Sequence, residues 1–280
     1  MNKTTILEIN MIDISLEDRD RELMQLIRRF RFMRTDQLCK IFFSKPEGTE
    51  RAKLSRTTRC LHRLEKWGVL SHLPRRVRPN RGGTYGLVWR LTETGIRVLN
   101  LGRTGAKRQR PYEPSETFLE HTLAVADIYT DIVTLCQSKD YLNILDERIE
   151  SEAAKTFRYP DSPFVINKEI KVWPDLYVKL QNRDEKGDTV TDRWFIEVDR
   201  GTERSKELKE KCERYVIYCK SGRMKKDYGS NPSTLFVVPN ERRKEQIAAI
   251  AKEVTEYKKM FYVVTREELA ERLVNGPISE

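Results

Sequence analysis

The sequence predicts an α/β protein, α+β overall, with an N-terminal helical segment ending in a β-hairpin and a C-terminal segment built around a mixed sheet. Three observations predict this. Apolar residues recur at helical spacing over residues 17–30 and 116–137. A turn-forming run, Pro79-Asn80-Arg81-Gly82-Gly83, separates two strand-like stretches. After residue 140, short apolar runs such as 194–199 and 234–238 alternate with amphipathic helical stretches.

The first segment predicts a helix over 17–30, with Leu16, Leu23, Leu26, Ile27 and Phe30 on one face and Ser15 as its N-cap. A short second helix starts near Thr35 and ends near Phe42. The loop 44–49, with Pro46 and Gly48, breaks it. A third helix is expected over 55–67, with Leu54, Thr58, Leu61, Leu64 and Trp67 inward and Arg56, Arg59, His62, Arg63 and Lys66 outward. Gly68 stops it. Strands over 69–76 and 85–91 form the hairpin, and Thr92 caps a helix carrying Ile96, Val98 and Leu99. Three helices followed by a hairpin is the order of a winged helix-turn-helix.

Charge points the same way. Residues 1–112 hold 25 basic and 11 acidic residues, a balance of +14, and the remaining 28 and 32 give −4. Between Lys66 and Thr92 there is no acid, and Arg75, Arg76, Arg78 and Arg81 crowd the hairpin tip. Planar guanidinium forks suit phosphates and narrow grooves. The expected partner is therefore double-stranded DNA, with Arg56, Arg59, His62 and Arg63 at the major groove and the four tip arginines on the backbone or minor groove.

With 34% charged residues and no apolar run approaching the ~20 needed to span a bilayer, a membrane protein is excluded. Five unpaired-looking cysteines and an N-terminus without an apolar leader predict a reduced, cytoplasmic protein. The domains expected are a DNA-binding domain over 1–100, a basic linker over 101–114 and a second domain over 115–280.

In that second domain Ser115 caps a long, largely apolar helix to about residue 137, with Glu120, His121 and Asp127 as polar exceptions. Strands follow over 142–149, 164–172, 175–180 and 194–199, with a polar turn at 182–192 joining the last two. Then come a helix (203–220), a strand (234–238), a helix (241–257), a strand (261–264) and a closing helix (266–274). Asp175 opens one strand, and Glu197 and Asp199 leave another on the same face. Such acids suit Mg²⁺ or Mn²⁺, which activates water and neutralises a phosphodiester in a catalytically active site. The candidate metal ligands are Glu120, Asp175 and Glu197. Asp199 either adds a carboxylate or caps the turn Arg200-Gly201-Thr202.

Trp173-Pro174-Asp175 with Phe195-Ile196-Glu197-Val198-Asp199 resembles the PD-(D/E)xK, restriction-endonuclease-like core. That resemblance implies catalytic roles for Asp175, Glu197, Asp199 (which stands at the lysine position of the motif) and Lys211, a lysine available on the next helix. Together with Trp89-Arg90-Leu91-Thr92-Glu93-Thr94-Gly95, Glu120-His121-Thr122-Leu123-Ala124-Val125, and the run from Glu197 to Glu203 followed by Lys211 and Tyr215, the chain resembles the replication-relaxation family of bacterial plasmids, conjugative elements and phages. The resemblance implies a DNA-binding accessory or regulatory protein that works beside replication or conjugation proteins. An active metal-dependent nuclease or nickase, and a homodimeric transcriptional regulator with a dimerisation domain, are the alternatives.

Overall fold

The computed structural model describes residues 4–44, 48–74, 86–102, 113–158, 169–184, 186–257 and 259–277. The chain is a mixed α/β protein of two compact units, Met1–Thr130 and Asp131–Glu280. Among the described residues no helix is long and apolar enough to cross a membrane.

The first unit opens with α1 (Ile6–Ser15), a helix absent from the sequence expectation. Its ends are well set, because Thr5 and Glu8 form a reciprocal capping box. Its apolar residues, however, do not form an inward stripe. Ile6, Leu7, Met11 and Ile14 are exposed and only Ile9 is buried. Next is α2 (Asp18–Phe30), which buries Leu23, Met24, Leu26, Ile27 and Phe30. Its N-cap is Glu17, whose N–H donates to Asp20, whereas Ser15 closes α1 by donating to the Met11 carbonyl.

The residues Met33–Arg34 form β1, and α3 spans Thr35–Phe42 as expected. Helix α4 (Glu50–Lys66) starts earlier than residue 55, because Thr49 accepts from the Ala52 N–H and so starts the helix there. Leu54 consequently lies on the outer face, 45% exposed, rather than inward. Gly68 ends the helix with φ of 72°, a conformation that costs glycine little.

Strands β2 (Leu70–His72) and β3 (Val88–Leu91) pair antiparallel, and β3 also pairs with β1, giving the order β1-β3-β2. The hairpin tip, with Arg75, Arg76, Arg78 and Arg81, lies outside the described residues, as does most of the expected linker. Helix α5 (Glu93–Leu99), capped by Thr92, lies so close to the chain before β2 that a Cβ on Gly95 would sit 2.2 Å from the Val69 carbonyl oxygen.

The boundary between the units falls inside α6 (Glu116–Gln137) rather than at residue 115. The physical reason is the packing of its first half. Leu119 and Leu123 pack with Phe32, Leu73 and Val88. Buried Asp127 accepts from Arg34 at 2.5 Å and from Gln37 at 2.7 Å, and Gln37 also donates to the Leu123 carbonyl at 2.9 Å.

The second unit is built on a five-stranded sheet in the order β10-β9-β8-β7-β4. Its strands are β4 (Asn143–Ile149), β7 (Leu176–Arg183), β8 (Thr189–Val198), β9 (Ser233–Val238) and β10 (Phe261–Thr265). Strands β8, β9 and β10 run parallel, while β7 is antiparallel to both β8 and β4. A separate ribbon pairs β5 (Lys155–Arg158) with β6 (Glu169–Val172). Helices α7 (Ser205–Lys220), α8 (Arg223–Tyr228) and α9 (Glu241–Val254) pack on the sheet, and α10 (Leu269–Asn275) closes the unit. Tyr215 and Tyr218 of α7 meet Tyr177 and Phe195 of the sheet, and Leu208 and Cys212 meet Phe236, Val238 and Ile247. Tyr177 and Phe195 therefore mark the sheet face under α7. Asp175 and Glu197, two residues away along their strands, share that face.

Candidate nucleic-acid interface and carboxylate cluster

On α4, Thr57, Cys60, Leu61 and Leu64 turn inward. The opposite face carries Arg51, Ser55, Arg59, His62 and Lys66, all exposed. Their spacings of three or four residues set them in one stripe along the helix. This stripe includes Arg59 and His62, which the sequence singled out. Lys66, also expected on the outward face, completes it, and Arg51 is added because the helix begins earlier than expected. Arg56 is partly buried beside the stripe.

Arg63 is partly buried and paired within the unit. It donates to Asp20 at 2.6 Å and to Glu17 at 3.4 Å, and its guanidinium lies over the Trp67 ring. Asp20 is fully buried, so Arg63 serves as the counter-charge of a core carboxylate. His62 is fixed by a 3.0 Å contact to Glu65, whose other oxygen meets His72 at 2.6 Å. Burial pushes the Glu65 carboxyl up, but the two imidazoles outweigh it and hold it below the usual range. Both rings meet the edge or face of Trp89, which ties the exposed helix to the sheet.

In the second unit the strand register sets the acids. Leu176 pairs with Ile196, so one step further Asp175 lies across from Glu197. The Val198 N–H donates to Asp175 at 2.7 Å, and the Asp175 carbonyl accepts from Glu150. Glu197 is 2% exposed, and both its oxygens are engaged by α7. Lys211 donates to one at 3.0 Å and Tyr215 to the other at 2.5 Å. These donors stand four residues apart, one helical turn, which is why both reach the same carboxylate. Lys211 also donates to Glu203 at 2.8 Å.

The electrostatics follow from burial. Loss of water pushes the Glu197 carboxyl up to about 7, with Asp175 adding to the rise and Lys211 opposing it. Burial pulls Lys211 down, but Glu197, Glu203 and Asp175 outweigh it and hold the ammonium above the ordinary lysine value. The Tyr215 hydroxyl is held far above its usual range, first by burial and then by Glu197.

Asp199 takes no part in this cluster. It lies past the end of β8 and is gripped by Arg243 of α9 through Nε and Nη2 at 2.7 and 2.8 Å. It also accepts from the Gly201 N–H, which is the turn-capping role. Glu120 is exposed near the start of α6, in the first unit.

This donor set does not suit a hard divalent cation. Among the described residues no group of three or more His, Cys, Asp or Glu side chains could hold a metal ion. Mg²⁺ and Mn²⁺ need several free oxygens at about 2.0–2.6 Å. Here the Lys211 ammonium and the Tyr215 hydroxyl occupy Glu197, and Arg243 occupies Asp199 on both oxygens.

Sequence reading missed Glu203, which shares Lys211, and Arg243, which neutralises Asp199. It also missed Lys171 and Arg214, which line a cavity of about 260 Å³ beside Glu197 with Trp173 and Lys211. The two-residue spacing of Lys171, in β6, and Trp173, just past its end, was the available signal.

A comparison with curated proteins gave no match. The family model described as replication-relaxation matches residues 24–234, a span that takes in both α4 and the Asp175–Glu197 cluster.

Proposed function

Because the chain belongs to the replication-relaxation family, we propose that it is a double-stranded-DNA-binding accessory or regulatory protein in the replication or transfer of plasmids, conjugative elements or phages. The observation that carries this reading is the exposed stripe Arg51, Ser55, Arg59, His62 and Lys66 on α4. It has the make-up of a groove-facing helix, with three cations that neutralise phosphates and polar side chains that meet base edges. Helices α2, α3 and α4 followed by the sheet β1-β3-β2 support a winged helix-turn-helix, for which the sequence expects arginines 75, 76, 78 and 81 to contact DNA. The long α6 and the mixed sheet beyond it support a PD-(D/E)xK-like second domain.

The lysine-held Glu197 and the arginine-held Asp199 favour a domain that keeps this framework for binding over one that cuts. Two assays test the reading. Anisotropy with a short labelled duplex in EDTA should show salt-sensitive binding that weakens about tenfold or more when the four tip arginines become alanine. Unchanged affinity at moderate salt would refute the wing assignment. Supercoiled plasmid incubated with Mg²⁺ or Mn²⁺ should stay intact; nicking lost in Asp175→Ala and Glu197→Ala would instead establish the nuclease.

A further inference from the structure

We propose that the cavity beside Glu197 holds one nucleotide of single-stranded DNA without metal, with the phosphate on Lys171 and Arg214 and the base on Trp173. Lys171 is in β6 and Trp173 follows just past its end, and both side chains line the same cavity. The Lys171 ammonium lies 3.7 Å from the centre of the Trp173 ring. Across the cavity, α7 contributes Lys211 and Arg214, three residues apart, and Tyr215.

The charge balance favours an anion. Of the three lining cations Lys171, Lys211 and Arg214, only Lys211 meets the lining carboxylate Glu197, which is buried with both oxygens already accepting. Lys211 is consumed by Glu197 and Glu203. Among the described residues Lys171 and Arg214 have no carboxylate partner, so their charge is available to a phosphate. Trp173 is 43% exposed, and an exposed indole beside cations offers a stacking face to an unpaired base. At about 260 Å³ the cavity lies just below the lower end of small-ligand sites, roughly 300 Å³, so the occupant proposed is no larger than a single nucleotide. This inference does not depend on α4.

The test uses the full chain carrying Arg51→Ala, Arg59→Ala and Lys66→Ala, which removes the duplex-facing cations. A fluorescein-labelled oligothymidylate is titrated in EDTA, with anisotropy and tryptophan emission read together. Binding should persist, quench tryptophan emission and fall with salt. Adding Trp173→Ala should weaken it roughly tenfold, as expected for the loss of one stacked base, and should abolish most of the quenching. Adding Trp173→Phe should restore most of the affinity, and Lys171→Glu with Arg214→Glu should weaken binding at least as much as Trp173→Ala. If the oligonucleotide does not bind the parent, or binds these variants equally well with the same quenching, the pocket assignment is overturned. Loss of duplex binding alone bears only on α4.

Discussion

Replacing Glu197 with Gln should remove a pH-dependent penalty from the fold. The carboxyl titrates near 4.5 in the unfolded chain and near 7 when folded, because burial disfavours its charge more than Lys211 restores it. Between those values the folded chain keeps a proton that the unfolded chain has released. The stability contributed by this group is therefore complete below pH 4.5 and is lost as pH rises to about 7. Each pH unit of that interval is worth about 1.4 kcal/mol, so the full change is about 3 kcal/mol. Glutamine nearly matches the shape, can accept from Lys211 through its amide oxygen while its amide N–H donates to the Tyr215 oxygen, and does not titrate. Urea unfolding of wild type and Glu197→Gln, followed by circular dichroism from pH 4.5 to 7.5, measures the gap between them. It should move by about 3 kcal/mol in favour of glutamine as pH rises. A gap that stays constant, or one that moves toward the wild type as for an ordinary ion-paired carboxylate, would refute the reasoning.

Three further outcomes are expected from the same denaturation assay. Arg243→Met strands the buried Asp199 and should cost about 3–5 kcal/mol; a loss under about 1 kcal/mol would mean Asp199 finds water instead. Asp127→Ala leaves the buried Arg34 with only its partly exposed neighbour Asp36 and frees one Gln37 donor, so a loss of similar size, about 3 kcal/mol, should appear. Gly95→Ala drives a methyl into the Val69 carbonyl and should cost about 1–3 kcal/mol through forced movement of α5; a neutral result would show that α5 has room to shift.

Much of the fold was legible because its signals are local. Thr35 and Phe42 bound α3 as read, Ser115 does precede α6, and Thr92 does cap α5, since each rests on a cap or a clear apolar period. Helix α1 was illegible because its apolar residues face solvent and leave no inward stripe. The start of α4 was misplaced because Thr49 was read as part of a loop with Pro46 and Gly48, although its side chain caps the helix.

The site divided along the same line. Asp175, Glu197 and Lys211 could be selected by residue type, and the structure brings Lys211 onto Glu197. The pairings of Arg63 and Asp199 were not legible because their partners, Asp20 and Arg243, lie more than forty residues away in sequence, whereas the local turn cap that Asp199 provides was. A surface charge and the counter-charge of a buried acid look alike until the fold joins them. Asp127, a polar residue on an otherwise apolar helix, likewise gained its meaning only from Arg34 and Gln37.

The central claim is that α4 presents its exposed cations to duplex DNA. The most direct measurement is the salt dependence of duplex affinity for the wild type and for the variant with Arg51→Ala, Arg59→Ala and Lys66→Ala, both in EDTA. Three lost phosphate contacts should lower the slope of log affinity against log salt by about 3 and weaken binding across sequences. Equal slopes and equal affinities would contradict the account and place the DNA-binding surface elsewhere.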